Sequence, residues 1–169
     1  MKAIVVAAGP GSRLMPITNE RPKCLLDVGG QTILERALQA LRENGIQNIV
    51  VVRGYHGHLI NYPHVTYCHN PDFEKNNILR SLFYAEDEMN DGFIFSYSDI
   101  LYGSEIVARL MGSEADIALI VDVNWTQTYE GRDQHPISEA ELVKGENGMV
   151  RYLRKEVVAF EKTRQEQMV

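Results

Sequence analysis

The chain has 169 residues, 44% apolar and 24% charged, with 23 Asp and Glu against 17 Lys and Arg and a net charge of −6. That length suits one globular domain able to bury a sizeable core, and the acidic balance argues against a nucleic-acid binder, whose phosphate contacts need a clustered basic face. No apolar stretch approaches the ~18 residues of a membrane span, the run Ala3 to Ala8 is too short for a signal-peptide core, and Cys24 and Cys68 make neither a disulfide framework nor a zinc cage.

Residues 2–8, KAIVVAA, form a continuous apolar run that Gly9 ends, the pattern of a strand buried on both faces of a parallel sheet. Pro10, Pro16 and Pro22 exclude a long helix directly after it. Thr32 and Glu35 stand as a capping box before the stripe Ile33, Leu34, Ala37, Leu38 and Leu41, and Gly45 supplies the stop. Ile49–Val52 reads as a second buried strand and Val65–Cys68 as a short third. Asn76 or Asn77 caps a second helix whose inner face is expected to carry Ile78, Leu79, Leu82, Phe83 and Met89. Asn90-Asp91-Gly92 breaks it, Phe93–Tyr97 is a fourth strand, Ser104–Met111 a third helix and Ile117–Val123 a fifth strand. From Asn124 to Gly148 the pattern dissolves into a polar loop region. Alternating strands and helices predict an α/β, Rossmann-like three-layer fold with a mostly parallel central sheet. The expectation is a cytoplasmic protein without a membrane partner, with one domain over 1–155 and an exposed tail over 156–169.

After the first strand the chain reads Ala7-Ala8-Gly9-Pro10-Gly11-Ser12-Arg13-Leu14, followed by Pro22-Lys23-Cys24-Leu25-Leu26. Glycines behind a buried strand let backbone N–H groups approach a phosphate chain. A dinucleotide fingerprint would need glycine where Leu14 stands and a helix where Pro16 follows. A Walker loop would need Gly-Lys-Ser/Thr, which is absent. A tight loop with two cations suits a triphosphate better than a bare surface turn. The two segments together resemble the G-x-G-S/T-R-L/M…P-K signature of the nucleotidyltransferases that activate sugar phosphates and choline-type phosphates. The resemblance runs from residue 1 to about residue 155 and implies the nucleotide-diphospho-sugar transferase type of fold. It also implies a nucleoside-triphosphate site in which the backbone of Ala8, Gly9, Gly11 and Ser12 embraces base and ribose. Arg13 would hold the leaving pyrophosphate, and Lys23 would bridge the α-phosphate and the acceptor phosphate.

Asp99 stands in Phe95-Ser96-Tyr97-Ser98-Asp99-Ile100, where the fourth strand ends. If the strands run 3-2-1-4, the first and fourth are neighbours and Asp99 faces the Gly9 loop, at the switch point where open α/β sheets bind ligands. A carboxylate there can hold Mg²⁺ against phosphate oxygens; the bland alternative is a cap for the helix at Ser104. Asp99 matches the family's metal-binding aspartate. The implied reaction is in-line attack by an acceptor phosphate or phosphonate oxygen on the α-phosphorus, releasing pyrophosphate. The resemblance also puts the Arg53-Gly54-Tyr55 turn and Asn77 with Ser81 at nucleobase-recognition positions, Asn77 being equally a plausible helix cap. The family's second metal-binding aspartate would fall beyond this chain's end, leaving Asp122 and Glu139 as weak substitutes.

The segment after the fifth strand holds Trp125, Tyr129, Arg132, His135 and Glu139. Aromatic faces beside acids suit a cationic ammonium group, or Trp125 simply packs; His135 could bind the acceptor phosphate or cap a turn. The stretch resembles the phosphocholine and 2-aminoethylphosphonate cytidylyltransferase branch, which uses CTP. That implies transfer of CMP from CTP, or of another nucleoside monophosphate from its triphosphate, to a small phosphorylated or phosphonate acceptor. A sugar-1-phosphate nucleotidyltransferase and a nucleotide-binding module without catalysis are the alternatives. His56, His58, His64 and His69 make no zinc set, and Cys24 reads as structural. Oligomeric state is left open, a homodimer included.

Overall fold

The computed structural model describes residues 1–129, 140–154 and 167–168. The chain forms two compact units, 1–111 and 112–169. In the first, β1 (Lys2–Ala7), β2 (Asn48–Arg53), β3 (Thr66–His69) and β4 (Phe93–Tyr97) make a parallel sheet in the order β3-β2-β1-β4. The expected 3-2-1-4 order is therefore the one that forms, and Val6 stands opposite both Val52 and Tyr97.

Alternation along β1 sends its side chains into two different cores. Ala3, Val5 and Ala7 pack with Leu34, Leu38 and Leu41 of α1 (Ile33–Glu43) and Val107 of α2 (Ser104–Met111). Ile4, Val6 and Ala8 join Val50, Val52 and Ala85 on the opposite face. Helical layers on both sides explain why KAIVVAA is apolar without a break. The capping box forms as read: Glu35 N donates to Thr32 Oγ1 at 3.1 Å and Thr32 N to Glu35 Oε2 at 3.1 Å. At the other end Gly45 is left-handed (φ 78°), and Ile46 N donates to the Leu41 carbonyl at 3.1 Å, closing a Schellman motif between two buried side chains.

The helix expected over residues 76–89 is short. α3 (Ile78–Leu82) passes into a 3₁₀ turn, Phe83–Glu88, whose Ala85 leaves helical geometry. Its inner face is also different from the expected one. Ser81 and Ala85 are buried and Leu82 and Met89 half-buried, while Ile78, Leu79 and Phe83 are exposed. The buried polar side chain of Ser81 is compensated by hydrogen bonds to Asn70 and Asn76, so apolarity alone picked the wrong face.

In the second unit, residues 117–121 form no strand, and Ile117 is 84% exposed. Apolar β-formers make a strand only where a neighbour completes the ladder. Of the strands of the hairpin that does form, the first lies in the stretch read as loop and the second just beyond it. β5 (Leu142–Glu146) and β6 (Met149–Arg154) are an antiparallel hairpin turned by Asn147-Gly148, both at positive φ (54° and 75°). Asn-Gly is the two-residue signal for such a turn. β7 (Gln167–Met168), inside the expected tail, pairs with β5. Trp125, in α4 (Trp125–Thr128), is 1% exposed and packs with Ala140, Leu142 and Tyr129. No helix among the described residues is long and apolar enough to cross a membrane.

Candidate active site

β1 is the switch point of the sheet: the chain moves from it to β2 and β3 on one side, and returns to pair β4 on the other. The loops leaving the carboxyl ends of β1 and β4 therefore diverge around a crevice. From β1, Ala8 to Gly11 lead into one 3₁₀ turn, Ser12–Leu14, and a second turn begins at Lys23. From β4 come Ser98 and Asp99. Gly11 takes a left-handed conformation (φ 63°), and a Cβ there would lie 3.1 Å from Lys23 Cβ, so glycine lets the two arms of the loop close up.

The central feature is an ion pair across 76 residues of chain. Lys23 Nζ donates to Asp99 Oδ2 at 2.8 Å, with the two side chains 33% and 41% exposed. Asp99 thus faces the loop, as the topology argument requires, instead of capping α2. Half-exposed, the pair is an accessible cation and anion at the crevice and contributes little to folding stability. Arg13 is exposed within the first turn.

The turn after β2 grips this loop. Tyr55 N donates to the Ala8 carbonyl at 2.9 Å. Gly54 makes that approach possible, since a Cβ there would sit 2.6 Å from the Ala8 carbonyl oxygen and 2.7 Å from Phe73 Cβ. Arg53 stacks its guanidinium 4.0 Å from the Tyr67 ring centre and donates to the Ile60 carbonyl, a structural arrangement. Asn77 caps α3, its side chain accepting from Arg80 N at 3.0 Å. Ser81 is buried against Asn70, whose fully buried amide also meets Asn76 and accepts from Asp72 N. Of the residues read as nucleobase positions, Asn77 and Ser81 therefore carry structural bonds here. Asn70 and Thr18, both fully buried polar side chains, are absent from the expected site; their side-chain partners, Gly11 for Thr18 and Asp72, Asn76 and Ser81 for Asn70, lie 2 to 11 residues away at spacings that no periodicity marks.

Among the expected acceptor residues, Trp125 and Tyr129 lie in the second unit with ring centres 5.6 Å apart, edge to face. The burial of Trp125 favours its packing reading, because an enclosed indole offers no open face to an ammonium ligand. Arg132, His135 and Glu139 lie outside the described residues. Asp122 is exposed and accepts from Asn124 N at 2.8 Å.

Cys24, next to Lys23, is not an activated thiol. Burial pushes its pKa up from 9.0 to about 12, helped by the nearby Asp99 charge and opposed by hydrogen bonds. At pH 8 iodoacetamide is therefore expected to spare Cys24 in the folded protein and to react first at the half-buried Cys68, as peptide mapping would show. The folded-state pKa lies above the unfolded one, so this group's contribution to stability is complete below about pH 9 and is lost as pH rises toward 12. Denaturant melts across that range would show the fall, and Cys24→Ala would flatten it.

The sequence profile of the MobA-like NTP transferase domain matches residues 3–159. The chain is similar to a CTP:phosphoglutamine cytidylyltransferase of Campylobacter jejuni, 33% identical over 172 residues, covering 95% of this chain and 68% of the relative. It is also similar to a choline-phosphate cytidylyltransferase of Haemophilus influenzae, 37% identical over 105 residues, covering 60% of this chain and 45% of that one. Among solved structures, the inositol-1-phosphate CTP transferase of T. maritima superposes with a TM-score of 0.74 at 21% identity, over 99% of this chain and 67% of its own. That last likeness concerns the fold.

Proposed function

Since the chain belongs to the MobA-like NTP transferase family, we propose that it transfers CMP from CTP to a small phosphorylated or phosphonate acceptor, releasing pyrophosphate. The observation that carries this reading is the Lys23–Asp99 pair at the β1/β4 switch point, beside the glycine loop. The choice of CTP is supported by the cytidylyltransferase relatives.

In this reading an acceptor phosphate oxygen attacks the α-phosphorus in line. A new P–O bond forms there as the bond to the bridging oxygen breaks, and pyrophosphate leaves with the electron pair. The nucleophile is already an anion, so no side chain has to accept a proton. What the protein supplies is position and countercharge. The Lys23 ammonium lies against the α-phosphate and the acceptor phosphate, neutralising charge that builds up on both. Arg13 holds the departing pyrophosphate, and the backbone of Ala8 to Ser12 receives base and ribose.

Asp99 would hold Mg²⁺. The donor set fits a cation that shares its ligation with nucleotide phosphates: one accessible carboxylate, with one oxygen directed to Lys23, and no group of three His, Cys, Asp or Glu suited to a metal among the described residues. The ion would supply further neutralisation of phosphate charge.

The test is pyrophosphate release from CTP, UTP, GTP and dTTP, each with phosphocholine, 2-aminoethylphosphonate, a phosphorylated amide such as phosphoglutamine, and glucose-1-phosphate. Release with CTP and one of the first three acceptors is the expected result. Release only with a sugar phosphate, or from none of the pairs, would overturn the reading.

A further inference from the structure

The twelve residues from Ala8 to Asn19 would be an ill-defined arm if judged by composition. They hold two glycines and two prolines, and Ser12, Arg13, Met15 and Ile17 are all exposed. Yet the arm is held at both ends by one residue from another part of the chain. Tyr55 donates its backbone N–H to the Ala8 carbonyl at 2.9 Å, at the arm's start. Its hydroxyl, 36 to 37 residues away in sequence, lies 3.1 Å from the Thr18 carbonyl and 2.9 Å from the Asn19 carbonyl, sharing one hydrogen between them at the arm's end. Two neighbours complete the closure. The fully buried Thr18 donates Oγ1 to the Gly11 carbonyl at 3.1 Å, and His56 Nε2 meets the Asn19 carbonyl at 3.0 Å, with its ring edge-on to Tyr55.

We propose that Tyr55 is a positioning residue: it braces both ends of the glycine loop so that the arm carrying Arg13 is already ordered for the triphosphate. This rests on the nucleotidyltransferase reading above, and it gives Tyr55 a role different from direct recognition of the base. The hydroxyl is committed to two carbonyls of the loop, so its contribution is to the loop's shape. An arm of this composition loses much conformational freedom when it closes on a ligand. Bonds that impose the closed shape beforehand remove that cost from nucleotide binding. The brace sets the shape of the loop backbone and commits the Tyr55 hydroxyl to loop carbonyls, so it raises affinity for CTP and UTP alike and does not choose between them.

Tyr55→Phe isolates the effect, because it keeps the ring, its contacts with His56 and Phe73, and the N–H on Ala8. Amide hydrogen exchange in residues 9–21, measured without nucleotide, should speed up several-fold in the variant relative to wild type, while β1 and β2 are unchanged. Nucleotide KM should rise ~5-fold, the worth of one net hydrogen bond. Acceptor KM and the rate ratio between CTP and UTP should stay as they were. Thr18→Val, which cuts the Gly11 bond from inside the arm, should speed exchange in the same residues. Unchanged exchange in both variants would overturn the brace, whatever the enzyme's activity. A shifted CTP-to-UTP ratio in Tyr55→Phe would overturn it too, in favour of direct base contact. Because exchange is read without turnover, it decides the brace even if no tested acceptor supports the proposed reaction.

Discussion

Lys23→Ala is expected to lower pyrophosphate release by at least ~10²-fold, the scale on which one transition-state charge contact is lost. The lysine's backbone starts a short turn fixed by main-chain bonds, Leu25 N to the Pro22 carbonyl at 3.0 Å and Leu26 N to the Lys23 carbonyl at 3.0 Å, which alanine keeps. Its side chain is a third exposed, so removing it opens no core cavity. A loss of rate without a loss of thermal stability is therefore the signature to look for. Lys23→Arg should recover little, because a planar fork cannot occupy the place of a compact ammonium beside Asp99. Unchanged turnover in Lys23→Ala would remove this residue from the reacting centre.

Asp99→Asn should cost a similar ~10²-fold. The substitution preserves shape and still leaves an oxygen to accept from Lys23 Nζ, now 2.8 Å from the carboxylate, so it subtracts charge while sparing geometry. Because the proposed Mg²⁺ would lean on this carboxylate and on nucleotide phosphates together, the variant should also weaken Mn²⁺ binding measured in the presence of CTP by electron paramagnetic resonance. Chelation with EDTA should stop the wild-type reaction and leave the already slow variant nearly where it was. Normal Mn²⁺ affinity in Asp99→Asn would place the metal ligand elsewhere.

Much of this arrangement could be read from the chain alone, and for a physical reason. The sheet is parallel and covered on both faces, so its central strands β1 and β2 are near-continuous apolar runs, and AIVVAA and IVVV announce themselves. Parallel topology then brings the ends of β1 and β4 together, and with them Lys23 and Asp99. The second unit was harder. Its hairpin strands are short and mostly exposed, so the Asn147-Gly148 turn is their stronger signal, and the hydrophobic run Ile117–Val123 is a stronger strand pattern than either. The buried face of α3 departs from the expected one because it is partly polar: Ser81 is satisfied by Asn70 and Asn76, partners that no helical periodicity reveals. The family resemblance puts Tyr55 at a nucleobase position. Its bonds to Thr18 and Asn19 exist only once β1 and β2 lie side by side.

The central claim is that Lys23 and Asp99 act on one reacting centre, and a double-mutant cycle on pyrophosphate release tests it most directly. Groups that work as a unit lose their effect together, whereas independent groups multiply their losses. The Lys23→Ala/Asp99→Asn double variant, assayed with CTP and the best acceptor, should be slower than the worse single variant by no more than ~3-fold. Losses that multiply to ~10⁴-fold, or a single variant as fast as wild type, would contradict the account.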